Sequence, residues 1–204
     1  MGLFIPTYFS PISQYGKIIN FDSLTFEVED NFQKQTYRNR CYMYGANGKQ
    51  VLNVPVSYPK TDGRRKTKDI LVEDSNWQKL HYKSLKIAYS HSPFFEFYKD
   101  DLQLIFNKKY TYLLDVNIDT FLFINDALDL SINHHVSKEY EDAVKNDFRH
   151  LANAKVLLEY NFQPYIQMFD DKYGFLENLS ILDLLFMEGP NSISFLEKIN
   201  VILD

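Results

Sequence analysis

The chain has 204 residues, of which 45% are hydrophobic, 16% are aromatic and 24% are charged, with a formal net charge of −5. This length and apolar content suit one domain, alone or with a C-terminal extension, and disfavour an intrinsically disordered chain. The acidic balance also disfavours a general nucleic-acid binder, because such proteins are usually basic.

The cysteine content and the hydropathy of the chain indicate the cellular compartment of the protein. Cys41 is the single cysteine, so no intrachain disulfide forms and a cysteine-based zinc site is excluded. Residues 1–7 lack the basic and apolar regions of a signal peptide, and no run of about 20 apolar residues predicts a membrane-spanning helix. These features predict a cytoplasmic protein.

The first predicted elements are a strand, a helix and a second strand. Residues 3–5 read as a short buried strand and residues 12–21 as a helix. Residues 24–28 then alternate apolar and polar side chains, which is the period of a half-buried strand. That alternation places Glu27 and Glu29 on one face.

A β-hairpin is predicted around Asn47-Gly48, the residue pair that type I′ turns prefer. A two-residue turn there sets the strand register. The pairs that then share the apolar face are Met43 with Leu52, Cys41 with Val54, and Asn39 with Val56. A buried Asn39 needs hydrogen-bond partners, since leaving its amide without them costs roughly 1–3 kcal/mol.

Arg38 and Arg40 fall on the opposite face of this hairpin. Two guanidinium groups spaced in this way can hold a pyrophosphate or a carboxylate in bidentate fashion. They can equally pair with Glu27 and Glu29 on a neighbouring strand, and one site accommodates both arrangements. Arg38 and Arg40 are therefore candidate substrate-binding residues.

The next predicted helix begins at Ser75, which forms a capping-box pattern with Gln78. Its apolar stripe consists of Trp77, Leu80, His81, Ser84, Leu85, Ala88 and Tyr89. His81 lies in the middle of the stripe, and two interpretations are open. It is a general base, because imidazole titrates near neutral pH, or it is a core histidine bonded to Asn39, Ser84 or a tyrosine.

A basic segment at residues 59–68 precedes this helix. Its cations are Lys60, Arg64, Arg65, Lys66 and Lys68. The segment either folds over phosphates as a lid or is a solvated loop, and it lacks the spacing of a P-loop. Glu27, Glu29 and Asp30 offer the oxygen ligands that Mg²⁺ uses, but the Asp-x-Asp motif is missing, so neither a metal nor a cofactor is predicted.

Helices are predicted for most of the second half of the chain. Residues 113–128 form one, and residues 179–188 form another that ends at Gly189. Between them, residues 131–145 are polar and mark a domain edge or a loop.

The predicted fold class is α/β, with a mixed β-sheet that includes the Asn-Gly hairpin, flanking helices and a C-terminal helical pair. Residues 1–130 are predicted to form the core domain. Residues 131–204 are predicted to form a C-terminal extension packed on it.

The chain also carries short motifs in a specific order. They are Tyr37-Arg38-Asn39-Arg40, Tyr44-Gly45-Ala46-Asn47-Gly48, Val54-Pro55-Val56, Trp77-Gln78-Lys79-Leu80-His81, Ser92-Pro93-Phe94-Phe95 and, in the tail, Gly174-Phe175-Leu176-Glu177-Asn178-Leu179. Together they resemble the WbqC-like protein family, and the tail resembles its Bacteroidetes-type members. Many members carry His-Gln-Pro where this chain has Phe4-Ile5-Pro6, so no role of that histidine and glutamine carries over.

The resemblance implies a cytoplasmic transferase of surface-polysaccharide precursor synthesis, which adds an acyl or aminoacyl group to an activated amino sugar. Its substrate would be a small anionic molecule such as a nucleotide sugar. In this hypothesis His81 is the catalytic residue that moves the proton. The substrate-binding residues are Arg38, Asn39, Arg40, Tyr37, Trp77 and Tyr89.

Two alternatives stand beside this hypothesis. The first is a non-catalytic module that binds a sugar nucleotide or a partner protein. The second is a structural protein whose tyrosines form an interface. None of the three hypotheses includes a nucleic-acid partner or a membrane-spanning segment.

Overall fold

The computed structural model describes residues 1–58, 65–155 and 160–201, and these ranges form nine strands and seven α-helices. The strands are β1 (Gly2–Phe4), β2 (Ser23–Phe26), β3 (Arg40–Gly45), β4 (Gly48–Asn53), β5 (Val56–Ser57), β6 (Leu71–Val72), β7 (Asn133–Val136), β8 (Tyr160–Asn161) and β9 (Asn200–Val201). The helices are α1 (Ile12–Ile18), α2 (Trp77–Tyr89), α3 (Phe95–Asn107), α4 (Leu113–Ala127), α5 (Asp170–Tyr173), α6 (Ile181–Glu188) and α7 (Ser192–Leu196). The α/β class predicted from the sequence is confirmed.

A three-stranded parallel sheet positions the site. Its order is β1-β2-β7, with Leu3 opposite Thr25 and Thr25 opposite His135. The third strand comes from the polar stretch that the sequence marks as a domain edge, and it completes a sheet begun by the first residues of the chain. The division at residue 130 stays a prediction.

The β3–β4 hairpin forms its own two-stranded antiparallel sheet, with a register that differs from the predicted one. Gly45 pairs with Gly48 and Cys41 with Leu52, so the turn residues are Ala46 and Asn47. The left-handed residue is Gly48, with φ of 92°, which is the position a glycine takes after a tight turn. The predicted Asn47-Gly48 turn is therefore wrong by one residue, although Cys41 and Leu52 share the buried face as expected.

Helix α2 buries most of its predicted stripe, including Trp77, Leu85 and Tyr89. Leu80 is an exception, because it lies at the edge of the stripe and is 61% exposed. The predicted capping box is also wrong. The residue before the helix is Asn76, without a capping side-chain bond, and the Gln78 amide instead donates to the Lys108 carbonyl.

The C-terminal helix α6 closes the core. Its backbone follows Ser180, whose hydroxyl accepts a hydrogen bond from the Leu182 amide and whose own amide donates to the Tyr42 carbonyl of β3. The helix ends at Gly189, which has a φ of 52°. Each helix in the described ranges is too short or too polar to cross a lipid bilayer.

Candidate active site

A cavity of about 700 Å³ opens at the carboxyl end of the parallel sheet. We call it the strand-end cavity, and its lining residues are Ile5, Glu29, Asp30, Asn31, Gln33, Arg38, Tyr140, Asp147, Arg149, His150 and Asn153. Ile5 directly follows β1, Glu29 and Asp30 come shortly after β2, and Tyr140 comes shortly after β7. Ligands of parallel α/β sheets bind at this edge, and the volume lies within the usual range for small-molecule sites.

Arg38 and Asp30 form a buried ion pair in the wall of this cavity. Arg38 is 3% exposed and Asp30 is 8% exposed. The Arg38 Nη2 atom lies 2.5 Å from Asp30 Oδ2, and Nη1 donates to the Thr36 hydroxyl at 3.3 Å. Arg38 Nε and Asp30 Oδ1 are buried and have no hydrogen-bond partner in the described part of the chain. The ion pair therefore has one donor and one acceptor that are available for further hydrogen bonds.

Arg149, the second arginine of the cavity, is bound by its own chain segment. Its guanidinium donates to both carboxylate oxygens of Asp147 and to the backbone carbonyls of Glu141 and Asp142. Its Cζ atom lies 4.8 Å from the centre of the Tyr140 ring. Although burial raises the pKa of Asp147, the bonds from Arg149 outweigh it and lower that pKa. Arg149 thus organises the chain around the cavity.

The described part of the basic segment lies at the rim of the cavity. Lys66 Nζ is 2.5 Å and Lys68 Nζ is 2.6 Å from the Glu29 carboxylate, and the hydrogen bonds from these two lysines lower the pKa of Glu29. The Phe32 amide also donates to the Arg65 carbonyl. Two of the five predicted lid cations, Lys66 and Lys68, therefore contact a residue that lines the cavity, whereas the Arg65 guanidinium stacks on the Tyr58 ring. The other two, Lys60 and Arg64, lie outside the described residues.

His150 is the imidazole that lines the strand-end cavity, and it is exposed. Partial desolvation lowers its pKa, against the opposing effect of the neighbouring Asp147. No sequence pattern identifies His150, because it follows an irregular polar stretch without periodicity. Its neighbour Arg149 offered the only local signal.

His81 lies elsewhere, in the core between α2 and the N-terminal segment. It is 6% exposed, and its Nδ1 atom is 2.9 Å from the Tyr8 hydroxyl. The ring also hydrogen-bonds the backbone of Asn53, and burial lowers its pKa to about 4. The edge of Trp77 packs against it at 5.2 Å between ring centres. These contacts are those of a core histidine, while its predicted catalytic role stays a prediction.

Two predicted cleft residues also lie away from the strand-end cavity. Trp77 packs between Tyr8 and Phe106. The Tyr89 hydroxyl donates to Asp183 Oδ1 at 2.6 Å and accepts from the Tyr44 amide. Neither residue lines the strand-end cavity, whereas Arg38 does.

Three predicted residues flank Arg38 along the chain. Tyr37 is buried and packs edge-on against Tyr42. The Asn39 side-chain amide donates to the Val54 carbonyl at 3.0 Å, which supplies the partner that its predicted burial requires. Arg40 is half-buried, and its Nε atom has no hydrogen-bond partner.

Unpartnered polar atoms concentrate around Arg38. In the described residues, eight buried side-chain nitrogen or oxygen atoms have no hydrogen-bond partner. Six of them belong to Arg38, its chain neighbours and residues that contact them, namely Asp30 Oδ1, Arg38 Nε, Asn39 Oδ1, Arg40 Nε, Thr67 Oγ1 and Asn117 Oδ1. Asn117 is linked to the Arg38 carbonyl, and Thr67 to the Asp30 carbonyl. Because buried polar groups are normally bonded, this cluster is the part of the described chain that most lacks partners.

Comparison with known proteins finds a family match for most of the chain. The model of the WbqC-like protein family matches residues 5–159. The uncharacterized protein Rv1507c of Mycobacterium tuberculosis is 26% identical over 217 residues, which cover 93% of this chain and 91% of that protein. No solved structure matches the chain significantly. The match includes every lining residue of the strand-end cavity, from Ile5 to Asn153.

Proposed function

The chain belongs to the WbqC-like protein family, and on this premise we propose that it is a cytoplasmic transferase of surface-polysaccharide precursor synthesis. Its substrate is a nucleotide-linked amino sugar, which binds in the strand-end cavity and receives an acyl or aminoacyl group on its amine. The observation that carries the proposal is the buried Arg38, which lines this cavity and keeps a donor, Nε, that no described protein group accepts.

Arg38 is the anion-binding residue of this proposal. A guanidinium has five N–H groups, and those of Arg38 make two side-chain hydrogen bonds, to Asp30 and Thr36. Arg149 makes bonds to Asp147, Glu141 and Asp142, so its contribution is charge and position rather than free donors. The cations at the rim add a positive field that favours a phosphate-bearing ligand.

The transfer step forms a C–N bond between the sugar amine and the carbonyl carbon of an activated acyl ester or thioester. A protonated sugar amine first releases one proton to solvent. As the neutral amine then attacks, the C–O or C–S bond of the donor breaks, and the amine gives up one further proton, which the leaving alcohol or thiol takes up. We assign His150 the transport of that proton, because it is the imidazole of the cavity wall. The rate comes from positioning the two substrates and from local electrostatics.

Binding is tested by the thermal stability of the protein in the presence of UDP-glucosamine. A ligand at 100-fold its dissociation constant stabilises by about 2.7 kcal/mol. We expect this stabilisation for the wild type and for Lys99→Gln, which removes a half-buried cation of α3 that is paired with Glu96 and does not line the cavity. Arg38→Gln is expected to lose it. No stabilisation of the wild type would contradict the nucleotide-sugar proposal.

Catalysis is tested by mass spectrometry of UDP-glucosamine incubated with the protein and either acetyl-coenzyme A or a glycyl thioester. His150→Gln should keep the ligand-induced stabilisation and lose transfer by about 10²–10⁴-fold. His81→Gln, the matched core substitution, should keep transfer at temperatures at which it is folded. The reverse result would assign the proton to His81, and binding without transfer from either donor would favour the non-catalytic module.

A further inference from the structure

Asp30 differs from the other carboxylates that line the strand-end cavity. Glu29 places one oxygen on Lys66 and the other on Lys68. Asp147 places both oxygens on Arg149. Asp30 gives one oxygen to Arg38, and its buried Oδ1 has no donor among the described residues. Among the carboxylates that line this cavity, Asp30 is therefore the one with an oxygen that is available to accept a further hydrogen bond.

Burying a carboxylate oxygen without a donor is unfavourable, because the oxygen loses its hydrogen bonds to water and forms none in the protein. The group that best compensates it is a positively charged donor, since charge-assisted hydrogen bonds are about twice as strong as neutral ones. Arg38 alone does not neutralise the Asp30 side chain once an anionic ligand shares the guanidinium. A cationic ligand group beside the anionic one restores the balance of charge.

We infer that Asp30 binds the protonated amine of the ligand and makes the cavity selective for a sugar nucleotide with a free amine over one with a hydroxyl at the same carbon. The inference rests on the proposed function for the site itself and adds the residue that sets its specificity. The same ion pair also holds Arg38 Nε, a buried donor without a partner among the described residues. The recognised fragment thus carries an ammonium group and an oxygen acceptor close together, as a 2-amino-2-deoxy sugar 1-phosphate does.

The test is calorimetric titration of the full chain with UDP-glucosamine and UDP-glucose, which differ in the amine or hydroxyl at one carbon. At a pH at which the amine is protonated, we expect the wild type to bind UDP-glucosamine at least about tenfold more tightly, as one charge-assisted hydrogen bond provides. Asp30→Asn should bring the two affinities within about twofold of each other, because it removes the charge. Asp147→Asn, whose oxygens both face Arg149, is the control and should keep the preference.

Asp30→Glu is the second variant, for use if the asparagine variant does not fold. It retains a carboxylate for Arg38 but displaces the free oxygen by one methylene, so the preference should fall here too. Equal affinities in the wild type, or a preference that survives both substitutions, would overturn the inference and leave the nucleotide-sugar site standing. Absence of binding by both nucleotides would instead contradict the proposed function.

Discussion

The surroundings of His81 and of Arg38 are buried to a similar degree but differ in how completely their polar groups are partnered. His81 bonds the Tyr8 hydroxyl and the Asn53 backbone. Arg38 and Asp30 bond each other, and each keeps a buried atom without a partner. The His81 region has the hydrogen bonds of an ordinary protein interior, whereas the Arg38 region lacks partners for some of its buried polar atoms.

This difference shows why residue type alone is a poor guide to a site. An imidazole on an amphipathic helix looks reactive in a sequence, yet its chemistry depends on what its ring nitrogens contact. A guanidinium and a carboxylate look like a simple ion pair, yet their unused atoms define what a ligand must supply. The comparison predicts different responses to substitution in the two regions.

The largest effect is expected for Arg38→Met. Removing one partner of a buried ion pair leaves an uncompensated charge on Asp30, which costs about 3–5 kcal/mol. Urea unfolding at neutral pH measures this loss. Lys66→Met, which breaks a pair whose lysine is exposed, should cost less than about 1 kcal/mol. Equal losses in the two variants would mean that Asp30 is solvated and the cavity wall is not closed.

His81 should make stability depend on pH. Burial lowers its pKa to about 4 from the ordinary histidine value of 6.5, so the unfolded chain takes up this proton first as the pH falls. The stability present above pH 6.5 is therefore lost between pH 6.5 and 4, by about 3 kcal/mol at 1.36 kcal/mol per unit. Unfolding free energies of the wild type and His81→Gln at pH 7 and pH 4 measure the difference. Identical pH dependence would show that the ring is accessible to protons in the folded state.

A smaller effect is expected at the second fully partnered region, around Asp183. This carboxylate is completely buried, and burial raises its pKa although Tyr165, Tyr89 and Gln167 donate hydrogen bonds to it. Tyr165→Phe removes one donor and should cost about 1–3 kcal/mol in the free energy of unfolding. The same substitution at the exposed Tyr173 is the control and should have almost no effect.

The smallest effect on stability is expected for His150→Gln. The side chain is exposed, and substitutions at such positions change the free energy of unfolding by less than about 0.5 kcal/mol. Thermal unfolding without ligand measures this. A loss as large as that of His81→Gln at neutral pH would mean that His150 supports the fold, and its assignment to proton transfer would lose its basis.

The sequence predicted the class of the fold and the faces of its regular elements. Alternation placed Cys41 and Leu52 on the buried side of the hairpin, and helical spacing placed Trp77 and Leu85 in the core. These patterns depend on backbone geometry over a few residues, so they can be read locally. The hairpin register was missed because the left-handed backbone position belongs to Gly48 as the residue after the turn, which the dipeptide alone does not reveal.

The residues that meet in the site could not be predicted from local patterns in this way. The sequence indicated Arg38 as a binding residue but offered Glu27 and Glu29 as its partners, whereas the structure gives it Asp30. It paired Arg38 with His81, whereas the imidazole in the cavity of Arg38 is His150, more than a hundred residues further along the chain. Such contacts between residues that are distant in sequence depend on how strands from both halves of the chain assemble into one sheet.

The chain by itself determined the fold class, the apolar faces of the hairpin and of α2, and that no intrachain disulfide forms, because each depends on residue content or on residue chemistry over short separations. It did not determine β7, which lies in a stretch whose polarity predicted a domain edge or a loop. Only the tertiary structure decided which polar atoms remain without partners, since that depends on every element that packs around them. The parallel pairing of β1, β2 and β7 brings Ile5, Asp30 and Tyr140 to one edge, and no local pattern encodes that convergence.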